Sequence, residues 1–219
     1  MRRRRSRPVP GDAPLARPPG RWIGLLGGSF NPAHEGHRHI SLLALKRLGL
    51  HEVWWLVSPQ NPLKPRAGMA AFDERLAAAE FAASDRRLRV SDIERRLGFR
   101  YSVDTVARLK QLFPRHRMVW IVGADNLPTL AEWRRWPALF KALPVAVIDR
   151  WPYSRYASVV KPAKRFARRR MAERRARGLA RCTPPAWIVI HGPLHPASAT
   201  ALRAAGGTAG KPGEAGGTP

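Results

Sequence analysis

The sequence predicts a single α/β domain with a doubly wound, mainly parallel sheet flanked by helices. Short apolar runs alternate with helical stretches along the chain, which is the order that a parallel sheet with crossover helices requires. Most of these runs are apolar at consecutive positions, as expected for strands covered by helices on both faces. Hydrophobic residues make up 44% of the 219 positions, which is enough to build one packed core.

Each element follows from a local pattern. The predicted strands are 22–26, 52–57, 88–91, 118–122, 145–148 and 187–190. The predicted helices are 36–48, 73–83, 102–112, 138–142, a basic helix within 156–178, and 199–204. Ser102 is expected to be an N-cap, with Asp104 in the first turn, where a carboxylate favours the helix dipole. The result is a Rossmann-like sheet, which binds ligands at the carboxyl ends of its strands, near the point where the strand order reverses.

The two ends of the chain differ from its centre in composition. Residues 1–20 are rich in Arg, Pro and Gly, and residues 205–219 are rich in Gly, so both are expected to be disordered tails. The folded domain is therefore predicted to span residues 21–204.

Positive charge is concentrated in two segments. Within the net charge of +25, residues 1–21 hold seven arginines against one acid, and residues 150–181 hold twelve basic residues against one acid. Such runs are typical of a solvated face, and they also attract anionic substrates or nucleic acid. Because Phe166 is the single aromatic residue within 161–181, base stacking has little support there.

Cysteine content and hydropathy exclude several classes of protein. Cys182 is the only cysteine, which excludes an intramolecular disulfide framework and a zinc site built from several thiolates. No apolar run approaches the roughly 20 residues that span a bilayer, so no membrane segment is expected. The arginines at 2–5 are not followed by the apolar stretch of a signal peptide, which favours a cytoplasmic location.

The segment after the first strand carries the most informative motif. Residues 27–37 read Gly-Gly-Ser-Phe-Asn-Pro-Ala-His-Glu-Gly-His and open a helix. Paired glycines let the backbone approach a ligand, and free N–H groups at a helix N-terminus suit phosphate. His34 and His37 can lie on one helix face and grip a polyphosphate. The alternative is a tight turn with two structural histidines, since a zinc site lacks a clear third ligand and the Gly-x-Gly-x-x-Gly and P-loop patterns are absent.

This motif resembles the signature of the nucleotidyltransferase superfamily with the His-x-Gly-His motif, and residues 21–204 resemble bacterial nicotinate-nucleotide adenylyltransferases. The resemblance implies transfer of AMP from ATP to nicotinate mononucleotide, which yields deamido-NAD and pyrophosphate in NAD biosynthesis. It implies Mg²⁺ as the cofactor that accompanies ATP, with few direct protein ligands. It also implies that ATP is bound by Gly27, Gly28, Ser29, Phe30, His34, His37, Gly123, Asp125, Ser198, Thr200 and Arg203.

Two segments that resemble the family are expected to bind the acceptor nucleotide. Lys64 ends the run of residues 59–64 after the second strand, where the family often has Pro-His-Lys and this chain has Leu63 before the lysine. A plain loop is the alternative there. Ser102 matches a helix start that lies beside the nicotinate carboxylate in the family.

Trp133 matches the aromatic residue that stacks on the pyridine ring in the family, whereas Trp136, three residues later, is expected to pack in the core. The resemblance therefore implies that nicotinate mononucleotide is bound by Ser29, Lys64, Ser102 and Trp133.

Two later motifs concern ATP. Gly123 and Asp125 match the family's Gly-x-Asp, whose carboxylate meets ribose hydroxyls, although a helix N-cap is an alternative for Asp125. Residues 196–203 resemble Ile-Ser-Ser-Thr-x-Ile-Arg, with Ala199 in place of the second serine. A capped terminal helix is the alternative for that segment.

The implied mechanism needs no protein nucleophile, because a phosphate oxyanion is already ionised near pH 7. Catalysis then consists of positioning and of neutralising charge in the transition state. The residues expected to hold the triphosphate are His34, His37, Lys64 and Arg203, assisted by Ser198 and Thr200.

Other functions stay open at this point. A related transferase acting on nicotinamide mononucleotide or phosphopantetheine would share the same motifs. A basic nucleic-acid-binding protein using residues 155–181 belongs to another class, and it would leave the glycine–histidine motif unexplained. The oligomeric state is also open, a homo-oligomer included.

Overall fold

The computed structural model describes residues 20–63, 67–149 and 159–193, which form a six-stranded sheet whose paired strands are all parallel. The strands are β1 (Trp22–Gly28), β2 (Glu52–Val57), β3 (Leu88–Ser91), β4 (Arg117–Gly123), β5 (Val145–Ile148) and β6 (Trp187–Ile190). Their spatial order is β3-β2-β1-β4-β5-β6, so the order reverses between β1 and β4. The predicted Rossmann-like sheet is confirmed.

Helices connect the strands as the alternation predicts. The α-helices are α1 (Glu35–Leu48), α2 (Phe72–Ala82), α3 (Ile93–Arg96), α4 (Ser102–Leu112), α5 (Trp136–Ala142) and α6 (Lys161–Arg165). Shorter 3₁₀ turns and one longer 3₁₀ segment are Ala124–Asn126, Leu130–Glu132, Ala167–Arg169 and Glu173–Arg181. The short helix α3 and the 3₁₀ segments were not predicted from the sequence.

The core lies in two layers, one on each face of the sheet. Leu25 and Trp54 pack in the layer that contains α4 and α5, whereas Leu26 and Trp55 pack in the layer that contains α1. Successive side chains of a strand point to opposite faces, so each strand supplies both layers. This is why the strands are apolar at consecutive positions rather than at every second one.

Strand register brings the ligand-binding loops to one edge. Gly28 at the end of β1 pairs with Val57 at the end of β2, and Leu26 pairs with Ile121 near the end of β4. The carboxyl ends of these strands therefore meet at the same edge of the sheet, where the segments that follow them approach one another.

Ser102 is not an N-cap, and that prediction is wrong. Tyr101 is the capping residue, with an extended backbone, and Ser102 is the first residue of α4. The carbonyl of Tyr101 already accepts from the N–H groups of Asp104 at 2.9 Å and Thr105 at 3.2 Å. The helix thus begins at Ser102, as its predicted bounds have it, with the cap one residue earlier than expected, and Asp104 lies in its first turn.

The basic helix predicted within 156–178 is confirmed only over α6, since the described residues after it form 3₁₀ segments and a bridge to β6. Arg170 is held by an isolated parallel bridge to Trp187, and the Met171 N–H donates to the Trp187 carbonyl at 2.8 Å. This pairing with β6 interrupts the helix. Beyond it, Ala176 and Leu179 are buried three residues apart, as the three-residue period of a 3₁₀ helix requires.

Some predictions fall outside the described residues. They are the helix at 199–204 and, apart from Gly20, the tails at 1–20 and 205–219. Within the described ranges, no helix has the length and hydropathy that crossing a membrane requires.

Candidate active site

A cavity of about 690 Å³ opens at the carboxyl edge of the sheet, at the ends of β1 and β4. It lies where the strand order reverses, which is where sheets of this kind bind ligands. Of the residues that the sequence predicts to be functional, those that line it are Gly27, Gly28, Ser29, Phe30, His34, His37, Ser102, Gly123, Asp125 and Trp133.

The other predicted site residues lie outside the described part of the chain. They are Lys64, Ser198, Thr200 and Arg203, together with Ala199 of the same motif. Leu63, next to Lys64, is partly exposed and lines the cavity. The roles of the undescribed residues stay predictions.

Gly27 is required by close approach rather than by turn geometry. A Cβ on Gly27 would lie 2.9 Å from the Trp120 ring, which is closer than van der Waals contact, so the buried ring would have to shift. A Cβ on Gly123 would lie 2.3 Å from Asp125 Oδ1, at the end of a side chain that can turn away. Asp125 lies inside the 3₁₀ turn after β4 and is not its N-cap, which is Gly123.

Phe30 forms part of the cavity wall and holds the first motif against the sheet. Its backbone has φ of 48°, in the left-handed region, and its ring stacks on Trp55 with centroids 5.1 Å apart. The ring of His37 lies 4.7 Å away on another side. The neighbouring Ser29 lines the cavity, and its hydroxyl is buried and has no hydrogen-bond partner among the described residues.

His34 and His37 form a reciprocal cap at the start of α1. The Nδ1 atom of His34 accepts from the Gly36 N–H at 3.0 Å, and the Nδ1 atom of His37 accepts from the His34 N–H at 3.3 Å. This is a capping box in which imidazoles replace the usual hydroxyl and carboxylate. The ring centroids lie 4.0 Å apart.

This cap determines which nitrogen of each imidazole carries the proton. Because both Nδ1 atoms accept hydrogen bonds from backbone N–H groups, each neutral ring is protonated on Nε2. The histidine pair at the cavity therefore presents Nε2–H donors, which suit an anionic oxygen. The structural interpretation of the motif, in which the histidines stabilise a turn, and the functional one, in which they bind a polyphosphate, therefore apply to the same two side chains.

The start of α4 offers backbone donors to the cavity. Ser102 and Val103 line it, and they are the first two residues of the helix. N–H groups in the first turn of a helix have no partner within the helix, and they carry its positive dipole end. This end of the cavity therefore suits a carboxylate.

Trp133 and Trp136 have different environments. Trp133 is half-buried, lines the cavity and meets Trp120 edge to face, with centroids 6.4 Å apart. Trp136 is buried and packs edge to face on Phe140 and Phe166, which confirms its predicted place in the core.

Arg75 of α2 holds the loops beside the cavity in place, and it was not predicted from the sequence. It is 2% exposed, and its guanidinium donates to the carbonyls of Ser29 at 2.6 Å, Ser58 at 2.8 Å and Pro59 at 2.8 Å. A further bond joins Nε to the Ala70 carbonyl at 3.1 Å. Arg75 thus holds together the segments that follow β1 and β2.

Glu94 of α3 is a second residue that was missed. It lines the cavity and is 4% exposed, and its Oε1 accepts from the Thr105 hydroxyl at 2.9 Å. Burial raises the pKa of Glu94 to about 7, although hydrogen bonds from Thr105 and Ser58 favour the charged form. No local pattern separates Glu94 or Arg75 from the surface charges around them, since it is the tertiary packing that buries both.

Known proteins have similar sequences over most of this chain. Residues 25–205 match the cytidylyltransferase-like family. A protein of Parvibaculum lavamentivorans named "Probable nicotinate-nucleotide adenylyltransferase" is 50% identical over 86% of this chain and 94% of its own. A Methylorubrum extorquens protein of the same name is 48% identical over 83% of this chain and 98% of its own. The chain belongs to the nicotinate-nucleotide adenylyltransferase family.

Solved structures support the fold. Two structures of Plasmodium falciparum nicotinic acid mononucleotide adenylyltransferase, complexed with APC and with NaAD, align with TM-scores of 0.60 and 0.62. Each covers 84% of this chain and 83% of its own, at 16% identity. The family assignment makes the protein a nucleotidyltransferase, as the sequence motifs predict.

Proposed function

We propose that this protein transfers AMP from ATP to nicotinate mononucleotide and releases pyrophosphate, as a step of NAD biosynthesis. The observation that carries the proposal is the arrangement of the cavity. The glycine pair at the end of β1 and the histidine pair line it together with the start of α4 and Trp133, so donors for a polyphosphate and an aromatic face share one volume.

In the proposed reaction, an oxygen of the acceptor phosphate attacks the α-phosphorus of ATP in line. A new P–O bond forms as the bond to the bridging oxygen breaks, and pyrophosphate leaves with the electron pair. The Nε2–H groups of His34 and His37 would neutralise charge on the triphosphate, and Gly27 and Gly28 would let the backbone approach it. Phe30, Gly123 and Asp125 would place the adenosine.

The acceptor would occupy the other side of the cavity. Its pyridine ring would stack on Trp133, with the ring carboxylate at the N-terminus of α4 beside Ser102. The Ser29 hydroxyl would bond to one of the two nucleotides, and Lys64 would meet a phosphate as a point charge.

The C-terminal motif is proposed to complete the triphosphate site. The Pro193 carbonyl oxygen lies 2.7 Å from His39 Nε2, on the same helix as His37. Ser198 is five residues further along the sequence. Five residues of extended chain reach about 18 Å at most, so Ser198 cannot lie farther than this from Pro193. This proximity supports roles for Ser198, Thr200 and Arg203 near the phosphates.

ATP chemistry of this kind uses a divalent metal ion, and we propose Mg²⁺. Within the described ranges, no three His, Cys, Asp or Glu side chains come together as a metal site. Mg²⁺ would therefore arrive with ATP, bound to phosphate oxygens and water.

The domain bounds at 21–204 and the cytoplasmic location also stay predictions.

The test is pyrophosphate release with ATP and Mg²⁺, compared among three acceptors. We expect nicotinate mononucleotide to be preferred over nicotinamide mononucleotide and phosphopantetheine. Preference for another acceptor would keep the fold and the histidine pair but contradict the proposed substrate. No release with any acceptor would contradict the proposed reaction.

A further inference from the structure

Arg134 carries a positive charge at the acceptor side of the cavity. It follows Trp133 directly and lines the same cavity. Its guanidinium carbon lies 4.6 Å from the centroid of the Tyr101 ring, and Tyr101 precedes the first residue of α4. The cation is thus held by an aromatic face between the two elements that would recognise the pyridine ring.

Arg134 forms no ion pair with any of the described residues. Within the described ranges, no carboxylate lies within 4.0 Å of it. Its neighbour Arg135 differs, since it lies 3.7 Å from Asp104 and does not line the cavity. Two adjacent arginines therefore have different electrostatic environments.

Three acidic residues line the cavity with Arg134, and none of them forms an ion pair with it: Glu94, Asp125 and Glu132. Glu94 is buried in the cavity wall and hydrogen bonded by two hydroxyls, and burial raises its pKa to about 7. Glu132 lines the cavity but is exposed to solvent. Arg100, also exposed, adds a second positive charge beside Tyr101.

We propose that the Arg134 side chain is a specificity determinant that favours an acceptor with a carboxylate on its pyridine ring over one with a neutral amide. This inference rests on the proposed function and adds a side chain to the backbone donors of α4. A fixed cation gains more from a carboxylate than from an amide, and the Tyr101 face holds the guanidinium in place before the acceptor binds.

The test compares Arg134→Gln, Arg134→Lys and Arg135→Gln, the last as a matched control on the neighbouring exposed arginine. The measured quantity is kcat/KM for nicotinate mononucleotide divided by kcat/KM for nicotinamide mononucleotide. Arg134→Gln should lower this ratio by roughly five- to twenty-fold, mainly through KM for the acid. Arg134→Lys should keep part of the preference, and Arg135→Gln should leave it within about two-fold.

Salt dependence gives a readout that a purely structural role would not change. The wild-type ratio should fall as ionic strength rises, and the Arg134→Gln ratio should be nearly flat. An active wild-type enzyme whose ratio is unaltered by Arg134→Gln would overturn this inference alone. A wild-type enzyme inactive with both pyridine nucleotides would overturn the proposed function, and the inference with it.

Discussion

Arg75 Nη1 donates a hydrogen bond of 2.6 Å to the carbonyl oxygen of Ser29, which joins α2 to the turn that follows the first strand. The same nitrogen reaches the carbonyl of Ser58, after β2. A buried guanidinium with several planar donors can hold several carbonyls at fixed angles, which a lysine cannot. The shape of the cavity therefore depends on a side chain outside the binding motifs.

Replacing Arg75 with Met should destabilise the protein by about 3 kcal/mol, because buried carbonyls lose a charged donor. Urea unfolding monitored by tryptophan fluorescence measures this change. Arg86→Met, at an exposed arginine, is the control and should be close to neutral. Equal stability of the two variants would contradict the role assigned to Arg75.

His37→Gln should separate the two roles of the histidine pair. Glutamine at this helix position can still accept the N-cap N–H in a capping box, so we expect stability to stay within about 1 kcal/mol of wild type. Loss of the imidazole Nε2–H should lower kcat by about ten-fold or more. His51→Gln, at an exposed histidine, controls for the substitution itself, and an unchanged kcat in His37→Gln would contradict the assignment.

Glu94 should make the protein less stable as pH rises. Its pKa in the folded state is about 7, above the ordinary value of 4.5, so the folded state binds more protons between these values. Its contribution is fully present below pH 4.5 and is lost as pH rises through 7. From pH 5 to pH 8, the free energy of unfolding of Glu94→Gln should increase relative to that of wild type by roughly 3 kcal/mol at most. A difference that does not change with pH would contradict this prediction.

Gly27→Ala should cost about 1–3 kcal/mol and reduce activity, because the new methyl group meets the Trp120 ring. Gly178→Ala is the matched control. Among the described residues nothing lies within 4 Å of a Cβ at Gly178, and it sits in a helical segment, so alanine there should be neutral or stabilising. Thermal unfolding and the pyrophosphate assay measure both changes, and similar losses in both variants would exclude the ring contact as the cause.

Elements that a local sequence pattern defines were predicted with accurate bounds. The strands at 52–57, 88–91, 145–148 and 187–190 have the predicted bounds. Three of them, at 52–57, 145–148 and 187–190, are buried at every position and are almost wholly apolar, so the sequence displays them directly. The helix at 102–112 was also predicted with its bounds. Its cap was not, because the choice between Tyr101 and Ser102 depends on backbone angles.

Elements that depend on distant partners were not predicted. The composition of the basic segment within 156–178 predicted one helix. Arg170 instead forms a bridge to Trp187, which no local pattern around Arg170 indicates. Arg165, Arg170 and Arg181 lie over the rings of Trp136, Trp187 and Trp22, so part of the apparent surface charge is packed on indoles.

The sequence by itself determined the class of sheet and the position of the glycine–histidine motif after the first strand. Both follow from patterns of near neighbours, which one chain displays directly. The residues expected to bind the nucleotides came from the resemblance to a known family. Only the tertiary structure decided that Arg75 and Glu94 are buried beside that motif. It also decided that, within the described ranges, Arg135 has a carboxylate partner whereas Arg134 lies over the Tyr101 ring and has none. Burial and charge pairing are set by residues far apart in sequence, and their effect on a side chain exists only once the chain is folded.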